Sequence, residues 1–212
     1  MTENANPEAA GDPDDRSLSD IDPEARARAL QSLLIEEGLV TTDAVDELVS
    51  LYEEDVGPMV GAQVVAEAWT DPDYKARLLE EGISAVAELG VSLEEEVMEL
   101  RVVENDPETH NIVVCTLCSC YPWAVLGLPP TWYKSPAYRS RVVKEPRALL
   151  AEEFDTELPD EVSVEVWDSN SEIRYLVLPQ RPDGTEGMET DELADLVSRN
   201  AMIGVERLGG EL

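Results

Sequence analysis

Three cysteines, Cys115, Cys118 and Cys120, fall within a span of six residues, and the chain holds no others. An odd number at such short range makes a poor disulfide framework, whereas clustered thiolates are strong ligands for transition metals. They sit in the run Val114-Cys115-Thr116-Leu117-Cys118-Ser119-Cys120-Tyr121-Pro122-Trp123. On a regular helix, at about 100° per residue, Cys115 and Cys120 would point about 140° apart, so three sulfurs reach one ion only from a curled loop. Pro122 works against helical continuation through this stretch.

The spacing also permits backbone chelation. The sulfur and the backbone nitrogen of Cys120 close a five-membered ring with a metal, and the nitrogens of Ser119 and Cys120 close another. The Cys118 sulfur with the Ser119 nitrogen closes a six-membered ring. Fused rings of this kind lay two sulfurs and two nitrogens in a plane, leave Cys115 to bind along the axis, and keep a sixth position open. Amide nitrogens bind only after losing their proton, which calls for a strongly polarising centre. Zn²⁺ prefers four tetrahedral side-chain ligands. A low-spin trivalent ion, Co³⁺ or Fe³⁺, suits thiolate and amidate donors better. The donor set carries more negative charge than such an ion balances, so it needs external cations or oxidised sulfurs.

Other readings of these residues stay open. A Cys-x₂-Cys-x-Cys run also suits zinc or an iron–sulfur cluster with a fourth ligand from elsewhere, and His110, five residues before Cys115, is the one histidine available. A histidine beside a strand serves equally as a structural hydrogen-bonding residue. Trp123 and Trp132 fit either an apolar pocket or plain core.

The elements that must hold this loop read as α+β. Residues 1–20 are rich in Asp, Glu, Pro, Asn and Gly and read as a disordered acidic leader. Residues 21–95 read as mainly helical. Asp22-Pro23-Glu24 opens a helix with Leu30, Leu33 and Leu34 on its apolar face, ending near Gly38. Thr41-Thr42-Asp43 caps a second helix carrying Val45, Leu48, Val49 and Tyr52. These two have too little neighbouring core to stand alone and suit an arm that packs on a partner subunit. Helical patterns continue through Gly61–Ala68, after Asp71-Pro72, and through Ser84–Leu89. Residues 96–212 read as the α+β metal-binding domain. Glu99–Val103 and Asn111–Val114 are predicted strands leading into the cysteines, followed by a turn at Leu126–Pro130 and a helical stretch from Pro136 to Phe154. Val162–Trp167 and Ile173–Leu178 alternate as strands, and Asp168-Ser169-Asn170-Ser171 between them suggests a hairpin. Asp191–Ser198 is predicted as the final helix.

Charge narrows the partners. The chain has 47 acidic and 15 basic residues, a formal net charge of −32, which repels nucleic acid and anionic membranes. Lys75, Lys134 and Lys144 are the only lysines. This balance fits an ordinary acidic surface, or adaptation to a salty cytosol where screening over about 3 Å at 1 M removes self-repulsion. The second reading predicts destabilisation at low salt. No run of about 18 apolar residues occurs, and the first residues lack the basic start of a secretion signal, so a cytoplasmic location is expected.

The run Cys115-Thr116-Leu117-Cys118-Ser119-Cys120-Tyr121-Pro122-Trp123 resembles the metal claw of nitrile hydratase alpha subunits, with Thr116 in the manner of the cobalt type. Val125–Ser135, Tyr138–Val143, Trp69–Pro72, Val102–Asn105, Trp167–Ser169 and Glu172–Pro179 are similar to the family as well, so the likeness runs from about Pro23 to Leu208. Ala124 departs from the family, which usually has proline there, and so do the acidic load and leader. The resemblance implies a layered α/β/β/α domain behind a helical arm. It implies one Co(III) per chain, with Fe(III) the lesser option, held by Cys115 as axial thiolate and by Cys118, Ser119 and Cys120 in the plane. It further implies Cys118 as sulfinic and Cys120 as sulfenic acid, hydration of a small nitrile to an amide, and an attacking oxygen from either the Cys120 sulfenate or metal-bound hydroxide. Cys120, Ser119 and Cys118 are thereby the catalytic residues. The implied partners are a beta subunit, in a heterodimer or heterotetramer and supplying arginines to the sulfurs, and a metallochaperone or activator. Arg139 and Arg141 are local candidates for the same support. Two alternatives stand beside this reading: the cobalt subunit of a thiocyanate hydrolase, and a non-catalytic zinc-binding module.

Overall fold

The computed structural model describes residues 23–45, 58–91, 99–118 and 120–209. The leader, the Asp22 cap and the later part of the second predicted helix lie outside them. The chain divides into two compact units, Met1–Val49 and Ser50–Leu212.

In the first unit, helix α1 spans Pro23–Glu36. It ends where Gly38 takes φ 68°, and Gly38 N–H donates to the Ile35 carbonyl. Leu30 and Leu33 are exposed. Residues 42–45 begin the second helix, where the Thr41 hydroxyl accepts from Ala44 N–H at 3.1 Å.

The second unit opens with three helices, α2 (Pro58–Thr70), α3 (Pro72–Glu80) and α4 (Gly82–Glu88). Asp71 caps α3 by accepting from Asp73 N–H, and Pro72 occupies the first turn. Strand β1 (Glu99–Glu104) then turns into β2 (Thr109–Val114), and the chain enters the cysteine loop. A short helix α5 (Trp123–Leu126) and a 3₁₀ turn at Thr131–Lys134 follow. The helical stretch expected from Pro136 to Phe154 is two helices, α6 (Pro136–Lys144) and α7 (Pro146–Phe154). The break has a covalent cause: Pro146 lacks an N–H and bars its predecessor Glu145 from helical geometry, leaving it at φ −145°, ψ 56°. Strands β3 (Ser163–Asp168) and β4 (Ile173–Leu178) complete the sheets.

β3 and β4 do not form the expected hairpin. β4 pairs in parallel with β1, Val102 opposite Leu176, while β3 pairs in parallel with β2, Val114 opposite Asp168. The turns at residues 105–108 and 169–172 therefore carry the chain from one two-stranded sheet to the other. The second turn is closed by Asn170, whose Oδ1 accepts from Glu172 and Ile173 N–H groups. Inner faces meet through Val103, Val113, Tyr175 and Val177, with Trp167 and Ile173 packed against them. Outer faces, including Leu100, Val102, Leu176, Leu178, Ile112 and Val114, share the main core with the helices. The order is α/β/β/α, as the resemblance implied.

Two close approaches lock helices onto the strands. A Cβ on Gly82 would lie 2.3 Å from the Leu100 carbonyl oxygen, which sets α4 directly on β1. Gly204, at φ 90°, closes α9 (Arg199–Ile203) with its own Cβ position 1.9 Å from the Asn111 oxygen, so only glycine serves there. The predicted final helix Asp191–Ser198 is instead α8 (Thr190–Ala194), and the last helix is α9. Ser198 is extended and caps α9 by accepting from Ala201 N–H at 3.0 Å, so it begins the next helix rather than ending the previous one.

Candidate metal centre

The cysteine loop begins where β2 ends. Val114 lies opposite Asp168, and Ser169 N–H extends the ladder by donating to the Val114 carbonyl at 2.7 Å. That register places the Asp168 carboxylate at the loop's first bend. One of its oxygens accepts from Thr116 N–H at 2.9 Å and the other from the Thr116 hydroxyl at 2.6 Å. With Thr116 held, the chain curls back: Cys118 N–H donates to the Cys115 sulfur at 3.3 Å. The sulfurs of Cys115 and Cys118 are 3.3 Å apart and those of Cys118 and Cys120 3.0 Å apart, with all three within 4.8 Å of one another. These separations far exceed the S–S bond length of about 2.05 Å, so no disulfide joins the three sulfurs as they converge. The loop leaves through Cys120, whose carbonyl accepts from the buried Tyr133 hydroxyl at 3.1 Å, and Pro122, whose carbonyl starts α5.

Access is graded along the loop. Cys115 is fully buried, Cys120 half-buried and Cys118 exposed, while Leu117 at the tip is 85% exposed. The inner sulfur is screened by the core, and the outer two lie nearer the surface.

The donor set suits a soft-ligated metal. Among the described residues it is the one group of three or more Cys, His, Asp or Glu side chains able to share an ion. The fourth ligand required by a Cys₃His zinc site is not supplied by His110. That ring is buried, with Nε2 donating to the Gly204 carbonyl at 2.8 Å and Nδ1 facing Asn105 Nδ2 at 3.4 Å. Burial holds its pKa below the usual value, so it is a neutral structural group. Ser119, whose amide the chelation reading uses, lies outside the described residues.

Burial, reinforced by the contact with Cys118, pushes the Cys120 thiol up to about 12, while the Arg174 guanidinium pulls it down. Metal binding through Cys120 must displace the proton that its thiol keeps at neutral pH. Of the two arginines proposed as supports, Arg139 reaches the loop and Arg141 does not. Arg139 Nη1 donates to the Cys118 carbonyl at 3.3 Å. Arg141 is consumed by Glu145, Glu152 and Glu153 at 2.5–2.6 Å, tying α6 to α7. Trp132 belongs to the core, edge-on to Tyr138 and Phe154 with centroids 4.8 Å away, whereas Trp123 lies at the surface with Lys134 Nζ 6.0 Å from its ring.

Sequence reasoning missed Asp168, Tyr133 and Arg174 as parts of this site. Asp168 lies 52 residues from Thr116 in the chain, and only the strand register brings the two together.

The comparisons agree with the geometry. The family model for the nitrile hydratase alpha chain matches residues 21–206. A cobalt-containing nitrile hydratase alpha subunit from Pseudonocardia thermophila is 57% identical over 86% of this chain and 89% of its own. The gamma subunit of thiocyanate hydrolase from Thiobacillus thioparus is 43% identical over 84% and 76%. Among solved structures, a double mutant of the Fe-type nitrile hydratase from Comamonas testosteroni Ni1 superposes with a TM-score of 0.78 at 42% identity, covering 88% of this chain and 90% of that one. A recombinant thiocyanate hydrolase with partially modified cobalt centres superposes at 0.72 and 41% identity, covering 89% and 90%. A family model spanning nearly all of the described fold, together with relatives above half identity, shows that the chain belongs to the nitrile hydratase alpha chain family, the metal-binding subunits of a hydro-lyase.

Proposed function

We propose that this chain binds one Co(III) through the Cys115–Cys120 loop and, joined to a beta subunit, hydrates small nitriles to amides. The observation that carries the reading is the convergence of three sulfurs within 4.8 Å on a non-helical loop, with no histidine among them. Cobalt rather than iron is supported by the cobalt-containing relatives at 54–57% identity, against 42% for the Fe-type structure. A bound Co(III) supplies Lewis acidity that polarises the nitrile.

The chain's own residues then divide the work. Buried Cys115 would hold the ion from the core side, and Cys118, Cys120 and the amides of Ser119 and Cys120 would supply its other donors. Cys118 would be carried as sulfinic acid and Cys120 as sulfenic acid, which would weaken sulfur donation to the ion. Cys118, Ser119 and Cys120 form the catalytic set, and half-buried Cys120 carries the sulfur nearest the chemistry. The beta subunit covers the exposed tip: Leu117, Leu128 and Trp123 offer it apolar surface, and its arginines balance the remaining charge. The exposed Leu30 and Leu33 suit an arm that docks on the same partner, with residues 21–95 leading into the metal-binding part and 1–20 serving as an acidic leader. A metallochaperone or activator loads the ion. The complex resides in the cytoplasm, and the charge of −32 fits a salt-rich one.

Thiocyanate hydrolysis is the second reading, favoured by the 43% identical gamma subunit and the TM-score of 0.72. Incubating the cobalt-loaded complex separately with an aliphatic nitrile and with thiocyanate decides between them. Amide released from the nitrile is expected; turnover of thiocyanate alone would overturn the assignment.

A further inference from the structure

The Cys118 carbonyl is the oxygen of the peptide whose nitrogen belongs to Ser119. When a peptide nitrogen binds a metal, its proton leaves to solvent and a nitrogen–metal bond forms. The resulting charge is then shared by resonance between that nitrogen and the carbonyl oxygen. For the Ser119 amide, the charge therefore appears on the Cys118 oxygen, which Arg139 Nη1 reaches at 3.3 Å. We infer that Arg139 is a positioning residue of the metal claw, its guanidinium neutralising the imidate oxygen of Cys118 and so holding the Ser119 nitrogen on the metal.

Three observations carry this. First, Arg139 is fixed independently of the loop. Its neighbour Tyr138 is buried and donates to the Val113 carbonyl at 2.7 Å, pinning α6 to the end of β2. Second, Arg139 keeps donor capacity in reserve, because its Nε is buried without a hydrogen-bond partner. Third, in a chain with 47 acidic residues, Arg139 makes no ion pair among the described residues, whereas Arg141 two positions along takes three glutamates. Its positive charge is thus directed at a backbone oxygen, a weak acceptor until the peptide is deprotonated and a strong one afterwards. The role differs from that of cations on the oxidised sulfurs, because it acts on the nitrogen ligand.

The inference rests on the claw reading above, and the test separates the two. The full chain, co-expressed with its beta subunit and loaded with cobalt, is compared as wild type, Arg139→Met, Arg139→Lys and Arg141→Met. X-ray absorption at the cobalt edge counts nitrogen and sulfur neighbours, and an EDTA challenge times cobalt release. Thermal unfolding of each metal-free chain checks the fold. Expected are mixed nitrogen and sulfur ligation in the wild type, and cobalt release at least about tenfold faster in Arg139→Met with loss of nitrogen scattering. Arg139→Lys should fall between, and Arg141→Met should match the wild type. Unchanged release and ligation in an Arg139→Met chain that folds normally would overturn the inference while leaving the claw intact. Should Arg139→Met fail to fold, Arg139→Lys decides by the same two readouts. Sulfur-only ligation in the wild type would instead remove the claw reading itself.

Discussion

The two ends of β2 are built from similar materials and behave in opposite ways. At its start, His110 and Asn111 join a buried polar network that uses up its own valences. The Asn105 side-chain oxygen accepts from Asn111 N–H at 2.7 Å, Asn111 Nδ2 donates to the Glu104 carbonyl, Trp167 Nε1 donates to Asn111 Oδ1, and His110 Nε2 closes on Gly204. At its end, only six residues further on, three sulfurs gather within 4.8 Å of one another, and buried polar atoms of Tyr121, Arg139 and Arg174 lack a hydrogen-bond partner among the described residues. Buried polar groups in folded proteins are normally satisfied, and exceptions are concentrated where a fold serves binding or catalysis. The start of β2 is satisfied from within the fold, whereas its end gathers sulfur donors able to share an ion.

Substitutions at the two ends should therefore fail differently. The largest effect is expected at the sulfur centre. Cys120→Ala removes one of the three sulfur donors and should bring nitrile turnover to background while leaving the metal-free fold intact, as read by activity and circular dichroism. Retained turnover would break the comparison at once. Next in size is the carboxylate clamp. Asp168→Ala frees both bonds to Thr116 and should reduce cobalt affinity by about 10–100-fold, measured by competition with a chelator, the usual range for groups that orient metal ligands.

At the closed end the damage should fall on stability and spare the metal. His110→Phe leaves the Gly204 carbonyl unpaired and should cost about 1–3 kcal/mol in denaturant unfolding, with cobalt content unchanged. His110 is the single histidine, and burial depresses its folded pKa. Its neutral form is thus fully stabilising above the unfolded value of about 6.5, and that contribution is lost as pH falls below it. The phenylalanine variant should lack this slope between about pH 6.5 and the carboxylate range. The smallest effect is expected at Arg141→Met, where exposed ion pairs are screened. The unfolding midpoint should move little, and less still in high salt.

Much of this contrast is legible in the sequence, and the rest is not, for identifiable reasons. Cysteine spacing and Pro122 indicate a curled loop because chelation and helix breaking are local properties. Alternation at Val162–Trp167 and Ile173–Leu178 reveals strands but not their partners. The nearness of the two runs suggests a hairpin, whereas the inner cluster of Val113, Trp167, Tyr175 and Val177 forms only when the chain crosses between sheets. The break at Pro146 follows from a proline rule that outweighs the helical pattern around it. The reach of Asp168 to Thr116 depends on parallel register, which no local pattern encodes. Arg139 and Arg141 look interchangeable in sequence, and only the surrounding glutamates and the position of the Cys118 carbonyl separate them.

The central claim is that the loop after β2 is a modified cobalt claw. Metal analysis combined with mass spectrometry of the Cys115–Cys120 peptide, taken from the purified chain, tests it most directly. The account predicts one cobalt per chain and about three added oxygens shared between Cys118 and Cys120. One zinc with all three thiols unmodified would contradict it.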